Sequence, residues 1–332
     1  MELLSPIIIL GVPRSGTTLL RVLLGSHSAI HAVSETPWIA GAYGQNSLRD
    51  LIDYLLKDRT GPVAMMQEID RHVIFRSGRL FVNEILSTVL TRTGRRRLLL
   101  KTPGDDLDFL VRLFPESQYV HIRRDPRDAA CSTVARSGNL ISNILDGYGE
   151  LTIFTAIRRW CDWEETLCRR IESGCFRSLI SIRYEDLVAD PRTTLHRICE
   201  HLGMPFESTM LAYDQQNHVL PSWEAGSEDV RNRPDINASS VGRWKREIRS
   251  VDMLRIDDEF GDRIEALGYK RCRDEVGFRL RRSALACDNF WYGVKLCWRV
   301  AWLVPRVPKK LVLIAKMEAH RMLERAKSTM AR

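Results

Sequence analysis

The sequence predicts an α/β fold in which a central parallel sheet is covered on both faces. Three observations carry this expectation. Apolar runs of strand length alternate with longer segments of helical period through residue 269. Strands separated by helices pair in parallel, and such sheets are buried on both sides. The polar residues suited to chemistry stand just after the strands, where open parallel sheets bind their ligands.

The strands are expected at 6–10, 97–100, 118–122 and 179–183. Helices are expected at about 17–26, 47–57, 79–92, 106–113, 127–136, 150–173 and 191–202, from their apolar periodicity. Asp190-Pro191 starts the last of these, with Asp as the N-cap and Pro at the first helical position. Residues 214–240 have no period and are rich in Asn, Ser, Pro and Asp, which predicts a long loop of the kind that serves as a lid. A further helix is expected near 250–267, ending at Gly268. The composition shifts beyond it, which divides the chain into a domain at 1–270 and an extension at 271–332.

Charge follows the same division. Residues 270–332 hold 16 Lys/Arg and 5 Asp/Glu, a balance of +11. The whole chain carries +8, so the first 269 residues carry −3, from 34 basic and 37 acidic residues. The main domain is near neutral and the basic excess lies in the extension. There, Trp291, Trp298 and Trp302 share a helical face framed by Arg281, Arg282, Lys295 and Arg299. That pattern at 283–327 suits either a peripheral membrane interface or a helix packed on the domain or on a second subunit of a homodimer. Nucleic acid is not an expected partner, because the charge sits beside large apolar residues rather than along a polar face. The eight cysteines include no C-x-x-C pair, and the chain shows neither a signal peptide nor an uncharged spanning segment. The expectation is a cytoplasmic protein, with the inner membrane face as the alternative site for the extension.

The first strand leads into Gly11-Val12-Pro13-Arg14-Ser15-Gly16 and a helix beginning Thr17-Thr18. Gly11 and Gly16 have the spacing of G-x-x-x-x-G-K-[ST], the phosphate loop of P-loop NTPases, but Thr17 stands in the lysine position. The loop can present backbone N–H groups and the positive end of a helix dipole to an anion. Ser15, Thr17 and Thr18 add hydroxyls, and Arg14 adds a guanidinium that forks onto phosphate or sulfate oxygens. The third predicted strand ends in His121-Ile122-Arg123-Arg124-Asp125-Pro126-Arg127-Asp128, with Ser132 about a turn into the next helix. Arg124 and Ser132 can meet on a second anion. Two anion sites on neighbouring strands suggest a nucleotide with phosphates at both ends of its ribose. His27, His31 and His121 have no metal-ligand spacing, and no metal is expected.

On these residues the chain resembles the sulfotransferases that use 3′-phosphoadenosine 5′-phosphosulfate (PAPS). "GVPRSGTTLL" is similar to their 5′-phosphosulfate loop, "RDPRDAACS" to their 3′-phosphate motif, and "VGRWKREI" to the Gly-x-Trp-Lys segment that closes over the nucleotide. "PRSGTTLLRVLLGSHSAIHAVSETPWI", "LFPESQYVHIRRDPRD" and "IRYEDLVADP" place the likeness nearest the tyrosylprotein branch, as a bacterial relative. The resemblance implies a P-loop NTPase-like three-layer fold and sulfuryl transfer from PAPS to an acceptor hydroxyl of a tyrosine, carbohydrate or lipid. It implies nucleotide contacts at Pro13, Arg14, Ser15, Gly16, Thr17, Thr18, Arg124, Ser132, Tyr184, Arg243 and Trp244, with Ser227 as a further candidate. Cytosolic small-molecule members carry a histidine two residues after a lysine at a strand end. Here Lys101 is followed by Pro103, so that base is missing. The likeness instead points to Glu35 as general base, with Lys101 and Arg14 beside the transferring group. Two other readings compete: a small-molecule kinase, which the loop's missing lysine disfavours, and a nucleotide-binding scaffold without turnover.

Overall fold

The structure is a computed structural model and describes residues 4–33, 36–40, 47–57, 71–101, 107–136, 152–212, 230 and 236–276. Two compact units divide at Trp244 and Lys245. The first holds a five-stranded, all-parallel sheet in the order β2-β3-β1-β4-β5, formed by Ile7–Leu10 (β1), Ile30–Ala32 (β2), Arg97–Lys101 (β3), Gln118–Arg123 (β4) and Ser178–Arg183 (β5). The four predicted strands are present. The fifth, β2, has only three residues and lies at the sheet edge, so it leaves no apolar run to read in the sequence.

β1 is central and completely buried, and its side chains alternate between the two faces. Ile7 and Ile9 join one core cluster, with Leu99, Val120, Ile122 and Ile182. Helix α1 (Thr17–Gly25) closes that face with Leu19, Leu20 and Leu23, together with α8 (Tyr184–Ala189) and α9 (Pro191–His201). Ile8 and Leu10 join the other cluster, with Leu98, Leu100 and Tyr119. That side is covered by α4 (Arg71–Thr93), α5 (Leu107–Leu113) and Leu167 of α7 (Ile153–Glu172). The result is three layers, with each fully buried Ile or Leu contributing about 1.5–3 kcal/mol of transfer free energy.

Short α2 (Pro37–Ala40) and α3 (Leu48–Lys57) precede α4, and α6 (Pro126–Arg136) follows β4. Asp190 accepts from the backbone N–H of Thr193 with Pro191 at the first helical position, as its sequence predicts. α10 spans Trp244–Glu247. The second unit contains α11 (Ser250–Ala266) and α12 (Cys272–Val276), tied together by Asp257, whose carboxylate accepts from the backbone N–H groups of Cys272 and Arg273. The Trp-rich segment at 283–327 and most of the predicted lid at 214–240 lie outside the described residues. Among the described residues no helix is long and apolar enough to cross a membrane, and no cysteine forms a disulfide.

The strand order fixes where ligands can bind. From β1 the chain turns toward β2 and β3, whereas from β4 it turns the other way to β5. The crevice beyond the carboxyl ends of β1 and β4 is therefore the switch point of the sheet.

Candidate active site

Both predicted anion sites open into that crevice. The loop after β1 turns through a Ser15 N–H to Val12 carbonyl bond of 3.1 Å, and Ser15 is fully buried. Its hydroxyl accepts from the indole N–H of Trp160 on α7 at 3.2 Å, which anchors the loop to the helical layer. Two glycines are required here. At Gly11 a Cβ would stand 2.6 Å from the Ile122 carbonyl oxygen of β4. Gly16 has φ +94°, and a Cβ there would meet Cδ2 of Tyr184 at 2.4 Å. Arg14 also adopts a left-handed backbone, with φ 72°, although it is not glycine. Such a residue is held at a cost of about 1–3 kcal/mol by its surroundings.

Those surroundings are the residues of the second predicted anion site. Arg14 Nε donates to Ser132 Oγ on α6 at 2.9 Å. The carbonyl of Arg14 accepts from Arg124 Nη1 at 3.0 Å. The Arg124 Nη2 donates to the carbonyl of Ser240 at 2.6 Å, and its guanidinium lies over the Tyr184 ring at 4.4 Å. Arg124 is buried, and its Nε has no partner among the described residues. Pro13, Arg14, Ser15, Gly16, Thr17, Thr18, Arg124, Ser132 and Tyr184 are thus brought to one end of the sheet. The buried ring of Tyr184 serves as packing between Gly16 and Arg124.

α1 begins at Thr17 without a side-chain cap, so its first backbone N–H groups point into the crevice with the positive end of the helix dipole. Lys101 ends β3 and is buried. Its Nζ donates to Thr18 Oγ1 at 2.9 Å, which fixes the ammonium over the start of α1. Among the described residues, Arg14, Thr17, Thr18, Lys101, Arg124 and Ser132 bring donors or positive charge to this region, a set that suits a multiply charged anion.

Several functional contacts are not evident from the sequence. Asp128 accepts from the backbone N–H of Gly242 at 2.7 Å and of Trp244 at 3.0 Å, clamping the predicted closing segment onto α6. Burial, chiefly, and the nearby Asp125 push its carboxyl up to about 6. Arg127 is paired with Asp125 through two bonds, at 2.9 and 2.7 Å, and stacks over the buried Trp244 ring at 3.9 Å. Trp244 is therefore an anchor, and Arg243 precedes it half-buried. The adjacent opposite charges of "RDPRD" are the signal for the Asp125–Arg127 pair. Nothing in the sequence signals that Asp128 and Arg124 hold residues 240–244. Glu35 and Ser227 lie outside the described residues.

A donor-lined crevice at the switch point of a P-loop-like sheet defines a nucleotide-binding α/β domain. The chain belongs to the sulfotransferase family, whose model, described as "Sulfotransferase family", matches residues 6–208. It is 27% identical to the nodulation protein NoeE of Sinorhizobium fredii, over 79% of this chain and 65% of that protein. It is 25% identical to protein-tyrosine sulfotransferase A of Caenorhabditis elegans, over 80% of this chain and 67% of that protein. It is 29% identical to omega-hydroxy-beta-dihydromenaquinone-9 sulfotransferase Stf3 of Mycobacterium bovis, over 69% of this chain and 53% of that protein. The chain thus spans between about half and two thirds of the length of these relatives. The sulfotransferase domain of the curacin biosynthetic pathway has the same fold, with a TM-score of 0.53 and 22% identity, over 79% of this chain and 99% of that one.

Proposed function

We propose that this chain moves the sulfuryl group of PAPS onto an acceptor hydroxyl. The observation that carries the reading is the Arg14–Ser132 hydrogen bond, which makes the loop after β1 and the start of α6 one continuous donor surface. A nucleotide with phosphate groups on both sides of its ribose matches such a surface. The residues present fit it: Arg124 has a buried Nε with no partner among the described residues, and Lys101, Thr17 and Thr18 supply further donors.

In this reading Arg124 and Ser132 hold the 3′-phosphate, and the start of α1 with Arg14, Ser15, Thr17 and Thr18 holds the 5′ side. Tyr184 and Trp244 pack the walls, Arg243 closes from the 241–248 segment, and Ser227 is a candidate for the sulfuryl oxygens. When bound, PAPS supplies a singly charged sulfuryl group on a phosphate leaving group. Lys101 stabilises charge on the leaving oxygen through its fixed ammonium. Glu35 takes the proton of the acceptor hydroxyl, a role supported by the likeness to the tyrosylprotein branch. Thr17 in place of the phosphoryl-gripping lysine suits this chemistry, since a sulfuryl group needs less charge neutralisation than a phosphoryl group, and no metal is invoked.

The relatives' names suggest the acceptor class: one is named for protein tyrosine and another for the hydroxyl of a lipid quinone. A phenolic, carbohydrate or lipid hydroxyl is the proposed acceptor. Calorimetry with 3′,5′-adenosine bisphosphate in a chelator tests the nucleotide site, with metal-independent binding expected. Binding of ATP only with Mg²⁺ would replace this reading by the kinase one. Transfer of labelled sulfate from PAPS into cell extracts, followed by mass spectrometry, identifies the acceptor.

A further inference from the structure

Three contacts orient the guanidinium of Arg124. The carbonyl of Arg14 takes Nη1 at 3.0 Å, the carbonyl of Ser240 takes Nη2 at 2.6 Å, and the Tyr184 ring lies against the plane at 4.4 Å. Nε is buried and has no partner among the described residues. One of these contacts comes from far along the chain. Ser240 meets Arg124 through its backbone carbonyl, so the path of residues 240–244 sets the contact rather than the side chain at 240. That path is fixed from α6. Asp128, 1% exposed, accepts from the N–H of Gly242 with one oxygen and from that of Trp244 with the other. The buried Trp244 ring lies against the Arg127 guanidinium, which Asp125 holds in turn. Without the Asp128 carboxylate, two N–H groups of this segment lose their acceptors, and the Ser240 carbonyl loses its support.

Charge alone would give Asp128 the opposite effect. It is near enough to Arg124 for the two charges to attract, so as a charge it offsets the cation and repels an incoming phosphate. Removing a negative charge from beside an anion site strengthens anion binding. Removing the support of Arg124 weakens it. The sign of the change therefore separates geometry from charge.

We propose that Asp128 is a positioning residue for nucleotide binding: it holds residues 240–244 so that the Ser240 carbonyl orients Arg124 toward the 3′-phosphate. The proposal rests on the reading of Arg124 as the 3′-phosphate ligand.

The test is calorimetry with 3′,5′-adenosine bisphosphate on the full-length wild type, Asp128→Ala, Arg124→Ala and the double variant. Asp128→Ala should lower affinity roughly ten-fold, the loss of about one charge-assisted hydrogen bond. With Arg124 already replaced by alanine, the same change should alter affinity by less than about two-fold, because Asp128 acts through Arg124. Melting temperatures report folding separately. If the alanine variant does not fold, Asp128→Asn takes its place, since it keeps the side-chain volume and one acceptor oxygen, with a smaller loss in the same pattern. Unchanged or higher affinity overturns the proposal. So does an equal loss in the Arg124→Ala background, which would trace the effect to general loosening of the crevice. Failure of the wild type to bind, or undiminished binding by Arg124→Ala, would remove the 3′-phosphate reading and this proposal with it. If Arg124→Ala weakens binding and Asp128→Ala does not, the 3′-phosphate reading stands and only the role of Asp128 falls.

Discussion

Arg14 donates its Nε–H to the hydroxyl of Ser132, 118 residues later in the chain, across the switch point of the sheet. The bond links the loop after β1 to α6, and Arg124 completes the link by donating to the carbonyl of Arg14. Arg14, with its left-handed backbone, has its carbonyl on Arg124 and its side chain on Ser132. The two proposed anion sites are thus joined by hydrogen bonds, and loss of either side should be felt in the other.

Ser132→Ala removes the acceptor of Arg14 and one hydroxyl of the 3′ side. Affinity for 3′,5′-adenosine bisphosphate should fall by about 1–2 kcal/mol, and Arg124→Ala should cost about 1.5–3 kcal/mol. Calorimetry measures both. The Arg124 variant should also raise hydrogen exchange around Val241 and Gly242, since Ser240 loses its tie to the β4 end.

Lys101→Met should reduce kcat by about a hundred-fold or more while leaving nucleotide affinity nearly intact, because its charge matters most as the leaving group departs. Single-turnover transfer distinguishes this outcome from loss of binding. An unaltered kcat would assign Lys101 only the role of holding Thr18.

Glu35→Gln should reduce kcat by about 10²–10⁴-fold with unchanged affinity for 3′,5′-adenosine bisphosphate. The acid limb of the kcat–pH profile should disappear with it. Full activity in this variant would remove Glu35 as the base.

Gly16→Ala should lower stability by about 1–3 kcal/mol, because the added Cβ meets the Tyr184 ring in a backbone region that alanine avoids. Urea denaturation measures the loss.

Asp128 makes stability depend on pH in a defined direction. Its carboxyl lies at about 6 in the folded chain, above the ordinary 3.8. The folded chain therefore holds a proton that the unfolded chain has released. The contribution is fully present below about 4 and declines as pH rises through about 6, by up to about 3 kcal/mol. An amide at this position cannot titrate, so the stability of wild type relative to Asp128→Asn should be greatest near pH 4 and decline toward pH 7. A difference that does not change with pH would show that burial does not set this group.

Periodicity reveals the core because β1, β3 and β4 are buried on both faces, and each leaves an apolar run in the chain. The helices α1, α6 and α9 are equally legible, since Gly16, Pro126 and Asp190-Pro191 mark their starts. β2 is not, because three residues at an edge carry no period. The loop after β1 and Arg124 are legible from residue type and spacing, since phosphate chemistry restricts both. The Asp128 clamp and the Ser240 carbonyl are not, because any residue has a backbone to offer and no side chain at 240–244 announces the contact. The exposure of Phe81 and Ile85 on α4 is not legible either, because both are apolar residues within a helical segment.

The attachment of Ser240 to Arg124, and of Gly242 and Trp244 to Asp128, also bears on the chain as it is synthesised. All five strands have been made once Arg183 leaves the ribosome, and the sheet can assemble then. The crevice lacks one wall until roughly sixty further residues have emerged, at about 5–20 residues per second. During that interval of several seconds a nascent chain has all five strands and, as α8 and α9 emerge, completes its core while the crevice is still open on one side. Ligand can stabilise the domain only after its architecture is already in place.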